Sequence, residues 1–302
     1  MNTMEQRTKK RVRRVRASTY WITVALLLTV IAVLGGICLK LVLERRNSPN
    51  LGDVYQGMVR VNDGICDVWI TPREGSVPSG LDGNDFTMQD GSPVYLGDDY
   101  DTAYGIDVSE WQGHIDWKAV KKSGIDFAFV RIGIRGTGAA GRLVEDERAI
   151  TNLTEARAAD IRVGAYFFSQ ATSAEEGAEE ARFVLDVLDG MALDLPVMFD
   201  WEKVSDETAR TYHLDYGTLN ECAAAFCETI ENAGYDAGIY TNRQLGYYAY
   251  QLGELKDYDL WVADFNTWPD FYYQFSVWQY SDSAACPGIE GAVDRNLMLT
   301  AK

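Results

Sequence analysis

From residue 104 onward the chain is punctuated by eight short apolar runs: 105–109 (GIDVS), 126–133 (DFAFVRIG), 162–169 (RVGAYFFS), 195–202 (LPVMFDWE), 236–242 (DAGIYTN), 259–265 (DLWVADF), 275–281 (FSVWQYS) and 292–297 (AVDRNL). Between the first five lie DWKAVKKSG and the stretches 145–159, 173–188 and 219–233, each with apolar residues at helical spacing. Ser173 followed three residues later by Glu176 reads as a capping box. Strand alternating with helix predicts a parallel sheet with right-handed crossovers. The last three runs follow at gaps of nine or ten residues, and a crossover that carries its own helix needs about 10–12. The expectation is therefore a closed barrel of eight strands with an irregular end, with its ligand at the carboxyl ends of the strands.

The residues at those ends carry chemistry. The first run supplies Asp107, the third Tyr166 and Ser169, the fourth Asp200 and Glu202, and the fifth Tyr240 and Asn242. The sixth supplies Trp261 and Asp264, the seventh Trp278 and Gln279, and the eighth Asp294 and Asn296. Carboxylates from runs one, four, six and eight are expected around one opening, ringed by aromatic faces suited to pyranose sugars. Side chains two apart on a strand point the same way, so Asp200 and Glu202 share a face and Trp201 takes the other. Two neighbouring acids resist ionising together, which raises one pKa and leaves a carboxyl able to donate a proton near neutral pH. A single Asp or Glu more often caps a helix or pairs with a base. The weight of this pair comes from its place at the end of an apolar strand, with Asp107 and Asp294 at other strand ends.

The motifs GIDVSEWQGHIDW (105–117), FAFVRIG (127–133), GAYFFS (164–169), DWE (200–202), GIYTN (238–242), LWVADF (260–265), VWQYS (277–281) and VDRN (293–296) together resemble glycoside hydrolase family 25, the lysozymes of the Chalaropsis type. The likeness runs over about 200 residues with the motifs in order. It implies an irregular TIM-like α/β barrel of eight strands with five helices. It also implies hydrolysis of the β-1,4 bond between N-acetylmuramic acid and N-acetylglucosamine in peptidoglycan, with no cofactor. By position, the resemblance makes Glu202 the general acid, Asp200 its partner carboxylate, Asp107 and Asp294 the other cleft acids, and Tyr166, Tyr240, Trp261 and Gln279 cleft-lining residues. The mechanism it implies is substrate assistance, in which the sugar's own acetamido group attacks the anomeric carbon; a direct nucleophile or base at Asp107 or Asp294 is the alternative. Retention and inversion of the anomeric centre both stay open. The sequence departs from the family pattern at Asp264, where a neutral residue is commoner; an added carboxylate there would alter subsite preference.

The remaining third of the chain reads differently. Residues 20–43, YWITVALLLTVIAVLGGICLKLVL, supply about the 20 apolar residues that a bilayer core requires. Seven Lys or Arg precede them, which favours a cytoplasmic tail at 1–19, a transmembrane helix at 20–43 and a body on the far side of the membrane. A cleaved signal peptide is the rival reading. Residues 44–103 read as an extracytoplasmic spacer with a small hairpin turning at Asp63-Gly64, a folded cap on the main domain being the alternative; residues 104–302 are the catalytic domain. The chain's net charge is −17, and with +7 on residues 1–43 the rest carries −24. A body that acidic is poorly suited to nucleic acid.

The five cysteines and two histidines show no metal-ligand spacing, so no metal site is expected. Cys222 and Cys227 on one helix would stand about 8 Å apart, too far to bridge; a Cys66–Cys286 pair stays open, with nothing in the sequence to support it. His114 and His213 read as loop or structural residues. The expected partners are peptidoglycan glycan strands and the membrane, with an envelope machine that the sequence does not name. The alternatives are a non-catalytic wall-binding anchor, or a glycosidase acting on another N-acetylated polysaccharide.

Overall fold

A computed structural model describes residues 20–40 and 55–302; the basic tail at 1–19, the end of the expected membrane span and the first part of the expected spacer lie outside these. The chain divides into two compact units, Met1–Gln56 and Gly57–Lys302. In the first, helix α1 (Tyr20–Lys40) runs for 21 residues with a mean hydropathy of 2.7, long and apolar enough to cross a membrane.

The second unit opens with two antiparallel hairpins, β1 (Val59–Asn62) with β2 (Asp67–Ile70) and β3 (Phe86–Gln89) with β4 (Ser92–Tyr95). The barrel follows: β5 (Tyr100–Val108), α2 (Trp117–Lys122), β6 (Phe127–Arg135), β7 (Leu143–Glu145), α3 (Ala149–Ala158), β8 (Arg162–Ser169), α4 (Ala174–Leu188), β9 (Val197–Trp201), α5 (Tyr216–Asn232), β10 (Ala237–Asn242), α6 (Arg243–Tyr248), β11 (Asp259–Ala263), β12 (Val277–Ala284) and β13 (Val293–Ala301). The strand order β5-β13-β12-β11-β10-β9-β8-β6 closes where β6 pairs with β5, and β7 adds to the outer edge of β6. Eight strands thus form a closed barrel with five α-helices around it. Four of these helices fall on the predicted stretches, and the fifth, α6, follows β10 directly.

The sequence accounts for four of the five starts; α3, after Arg148, has no side-chain cap. Asp116, Ser173, Asp215 and Asn242 accept backbone N–H groups at the N-termini of α2, α4, α5 and α6. The expected capping box at α4 is only half formed. Ser173 accepts from the Glu176 N–H, but the Glu176 carboxylate bonds back to the Thr172 N–H and hydroxyl, one residue earlier than a box requires.

Period-two alternation sorts the strands into two cores. Phe127, Phe129, Met198, Tyr240, Trp261, Ala263, Val277 and Met298 fill the barrel interior. Their strand neighbours Ala128, Val130, Phe199, Val262, Trp278 and Leu297 pack outward under the helices. The two interior phenylalanines need room across the ladder. Phe127 pairs with Gly105 and Phe129 with Gly164, and a Cβ at either glycine would overlap the facing ring.

Three expectations change. First, β13 runs antiparallel to both β12 and β5. The link from β12 is too short for a crossover, so the chain turns back, and Asp294 lies near the start of its strand, not its end. Second, residues 57–99 are no spacer. Phe86 packs edge-on against Trp278 with ring centroids 5.8 Å apart, Asp63 accepts the Tyr248 hydroxyl at 2.7 Å, and the backbones of Val77 and Ser79 pair with Gln274 and Tyr272. The hairpins are a folded cap on the barrel, and β5 itself begins at Tyr100. Third, Cys66 is exposed at a hairpin tip while Cys286 is buried beside Ser123, and both are free thiols.

Candidate active site

The alternation that fills the barrel interior also builds its mouth. One layer above the interior core, the inward positions are Asp107 on β5, Arg131 on β6, Tyr166 on β8, Asp200 on β9, Tyr240 on β10, Gln279 on β12 and Asp294 and Asn296 on β13. Glu202 continues the inward parity of Asp200 just past the end of β9. Trp201, between them, is buried in the outer core.

Asp107 is the centre of a directed hydrogen-bond network. Its Oδ2 accepts from Gln279 Nε2 at 3.0 Å and from Asn296 Nδ2 at 2.9 Å. Each amide is held the right way round by an aromatic donor: the Tyr240 hydroxyl donates to Gln279 Oε1 at 2.9 Å, and Trp261 Nε1 donates to Asn296 Oδ1 at 2.8 Å. Burial pushes the Asp107 carboxyl up, against the pull of these donors. Asp294, its partner across the β13–β5 ladder, is pushed up to about 8, first by burial and then by the Asp107 charge and a hydrogen bond to it. Both acids of the pair are thus raised, and the Asp107 charge favours the protonated form of Asp294.

The second pair lies across the mouth. Asp200 is 5% exposed, and its Oδ1 has no hydrogen-bond partner. Burial, then the Glu202 and Asp107 charges, raise its pKa well above the usual range, with Arg131 opposing. Glu202 is half-buried and is raised by burial and by Asp107. Tyr166 and Tyr240 keep their protons, because burial and the adjacent carboxylates push both phenols far up. The arrangement offers protonated acids beside ionised ones in a water-poor cleft, which is what proton donation to a leaving oxygen requires.

Two predicted members do not join the site. Trp278 is fully buried on the outer face of β12, where its Nε1 donates to the Asp264 carbonyl at 2.6 Å. The inward place on that strand belongs to Gln279, and neighbours on a strand cannot share a face. Asp264 also points outward, one residue past Ala263. Its buried carboxylate stands 3.3 Å from Arg243 Nε. Trp261 forms the floor of the site, stacked on Phe129 at 4.8 Å.

Three contributors were absent from the predicted set. Arg131 donates to Asp146 Oδ2 at 2.9 Å and to Glu110 Oε1 at 3.1 Å; the signal available was an arginine at an inward position of the apolar run FAFVRIG. Asn296 was noted as a strand-end residue without a role. Gln170, fully buried, donates to the backbone carbonyls of Ser169 and Glu202 at 2.9 and 3.2 Å and accepts from the Thr211 hydroxyl. It ties the ends of β8 and β9 to the loop beyond, and nothing in the sequence marked it. Among the described residues no group of His, Cys, Asp and Glu is placed to hold a metal ion.

Comparison with known proteins gives a consistent result. A family model described as glycosyl hydrolases family 25 matches residues 106–289. Lysozyme M1 of Streptomyces globisporus is 29% identical over 208 residues, covering 64% of this chain and 66% of that protein. The autolytic lysozyme of Clostridium acetobutylicum is 26% identical over 192 residues, covering 63% of this chain and 54% of that protein. The modular autolysin LytC of Streptococcus pneumoniae superposes with a TM-score of 0.58 at 26% identity, over 70% of this chain and 51% of that one; it has also been solved in complex with a synthetic peptidoglycan ligand. The chain thus spans between half and two thirds of the length of these relatives.

Proposed function

Because the chain belongs to glycosyl hydrolase family 25, we propose that it is a peptidoglycan hydrolase of the lysozyme type, cutting the β-1,4 bond between N-acetylmuramic acid and N-acetylglucosamine from a membrane tether. The observation that carries this reading is the Asp200–Glu202 pair: two acids on one face of β9, both raised by burial, facing the Asp107–Asp294 pair across one opening. A domain that only bound the wall would have no use for four acids held this way. The lysozymes among its relatives, and the peptidoglycan ligand of LytC, support the substrate.

In this mechanism Glu202 gives its proton to the glycosidic oxygen as the bond to the anomeric carbon breaks. The substrate's acetamido oxygen forms a bond to that carbon, and Asp200 takes a hydrogen bond from the acetamido N–H and stabilises the positive charge that develops. Water then attacks the same carbon, Glu202 takes its proton back, and the acetamido group is released. The Asp107–Asp294 pair holds the negative potential beneath the sugar; Tyr166 donates to a sugar hydroxyl, and the Tyr240 oxygen, whose proton goes to Gln279, accepts from one.

The tether is α1. At about 1.5 Å per residue its 21 residues match a bilayer core of roughly 30 Å, and the basic residues before it keep the N-terminus in the cytoplasm. Held there, the enzyme would act on wall close to the membrane. Digestion of purified peptidoglycan by the full chain and by Glu202→Gln tests the chemistry, with fragments reduced and sized by mass spectrometry. New reducing ends on N-acetylmuramic acid, lost in the variant, are expected. Binding without released fragments would overturn the reading. Protease added to intact cells tests the tether, and resistance of the body to cleavage would count against it.

A further inference from the structure

The turn after β5 presents a contradiction. Trp111 is 79% exposed, the most exposed large aromatic in the Gly57–Lys302 unit, yet its turn is among the best fastened at the barrel mouth. Ser109 and Gln112 close a capping box over Glu110–Gln112. The Glu110 N–H donates to buried Asp146 at 2.9 Å, and Arg131 holds the Glu110 carboxylate at 3.1 Å. A few residues on, the Asp116 N–H bonds the Gly288 carbonyl at 2.8 Å, joining this turn to the β12–β13 connection. Between the two segments runs a groove of about 560 Å³, lined by Trp111, Gln112 and His114 on one side and Ile289 and Glu290 on the other. What gives the exposed indole meaning is the groove beside it, with a rigid turn holding the ring at its edge.

The chain itself locates the groove. Trp111 lies four residues after Asp107, and Glu290 lies four residues before Asp294. At about 3.3–3.6 Å per residue, each wall is at most roughly 14 Å from the carboxylate on its own strand. Both walls of the groove therefore lie within reach of the Asp107–Asp294 pair, at most a few sugar units from the reacting bond. Its chemistry is a flat apolar face rimmed by an amide, an imidazole and a carboxylate, which suits a pyranose ring with its hydroxyl and acetamido groups.

We propose that Trp111 and this groove form an outer subsite that binds a further sugar ring of the same glycan strand, beyond the two that flank the cleaved bond. The inference rests on the hydrolase reading, and it makes the enzyme sensitive to strand length. Such a platform contributes to binding and not to the chemical step.

The test uses the full-length chain in detergent, with Trp111→Ala and Trp111→Phe, on long peptidoglycan glycan strands and on a two-sugar fragment that fills only the positions flanking the cleaved bond. Trp111→Ala is expected to raise KM on long strands about three- to tenfold with kcat unchanged, to leave the fragment's kinetics unchanged, and to be rescued by Trp111→Phe. Melting temperatures should match, since the side chain is exposed. An unchanged KM on long strands, or an equal rise on both substrates, overturns the subsite. If the wild type cleaves neither substrate, the hydrolase reading fails; calorimetric titration with long strands then still decides the platform. Weaker binding by Trp111→Ala supports it, and equal affinity overturns it.

Discussion

Asp294 stands directly across the β13–β5 ladder from Asp107, so two acids face each other one strand spacing apart at the mouth of the barrel. Such a pair holds a proton that neither acid would keep alone. Burial raises both carboxyls, and Asp107 is fixed by two amide donors.

This has a consequence for stability. Asp294 is raised to about 8, Glu180 beneath Arg135 to about 7, and Asp264 to about 6, each chiefly by burial. In the unfolded chain such groups lose their protons near pH 4. The folded state thus binds more protons between roughly pH 4 and 8, and stability falls as pH rises through that window. Melting followed by circular dichroism should give a midpoint higher at pH 5 than at pH 8. Asp294→Asn should flatten the decline and raise the pH 8 midpoint. A midpoint that rises with pH would refute this.

Glu202→Gln and Asp200→Asn should each lower turnover by about 10²–10⁴ while the fold survives. Asp200 carries a buried oxygen with no partner, so Asp200→Asn should match or exceed the wild type in urea stability. Parallel assays of turnover and of the urea midpoint check both; a destabilised Asp200→Asn would mean that the carboxylate is structural.

Asn296→Ala removes one donor from Asp107 and leaves Trp261 Nε1 without its acceptor. A cost of about 1–3 kcal/mol is expected in denaturant unfolding. Losing a bond to the ionised form also raises the Asp107 pKa, so the acid limb of kcat/KM against pH should move to higher pH. An unmoved limb would remove Asp107 from the groups that must be ionised.

Trp278→Ala should cost about 3–5 kcal/mol, because it empties the contact between β12 and Phe86. Trp278→Phe should leave KM unchanged, since the ring does not reach the cleft. A raised KM in the phenylalanine variant would restore Trp278 to the binding surface.

Much of the site was legible because a strand's alternation is simple. Asp107, Asp200, Tyr240 and Gln279 each follow interior-facing residues at even spacing. The same rule, applied strictly, would have rejected Trp278 beside Gln279, and Asp264 one step past Ala263. The direction of β13 was not legible, because only the length of its connection bears on it and pairing decides the rest. The cap was missed because its Gly, Pro and Asp content reads as slack chain. What folds it is Val61, Phe86 and Tyr95 meeting the barrel's outer face, a tertiary fact. Gln170 was missed because its value lies in two backbone carbonyls that no pattern of side chains reveals.

The closing strand also sets an order of events. Asn296 and Asp107 are bonded to each other yet 189 residues apart in sequence, so β5 must wait unpaired on one side while nearly all of the barrel is made. Contacts of such separation form late. Until β13 docks, Asp107 lacks both the acid across the ladder and the Asn296 donor. A chain cut before β13 would therefore lack Asp294 and one of the two amides that fix Asp107. The last stave thus completes the surroundings of Asp107, and the two ends of the barrel sequence meet at that one carboxylate.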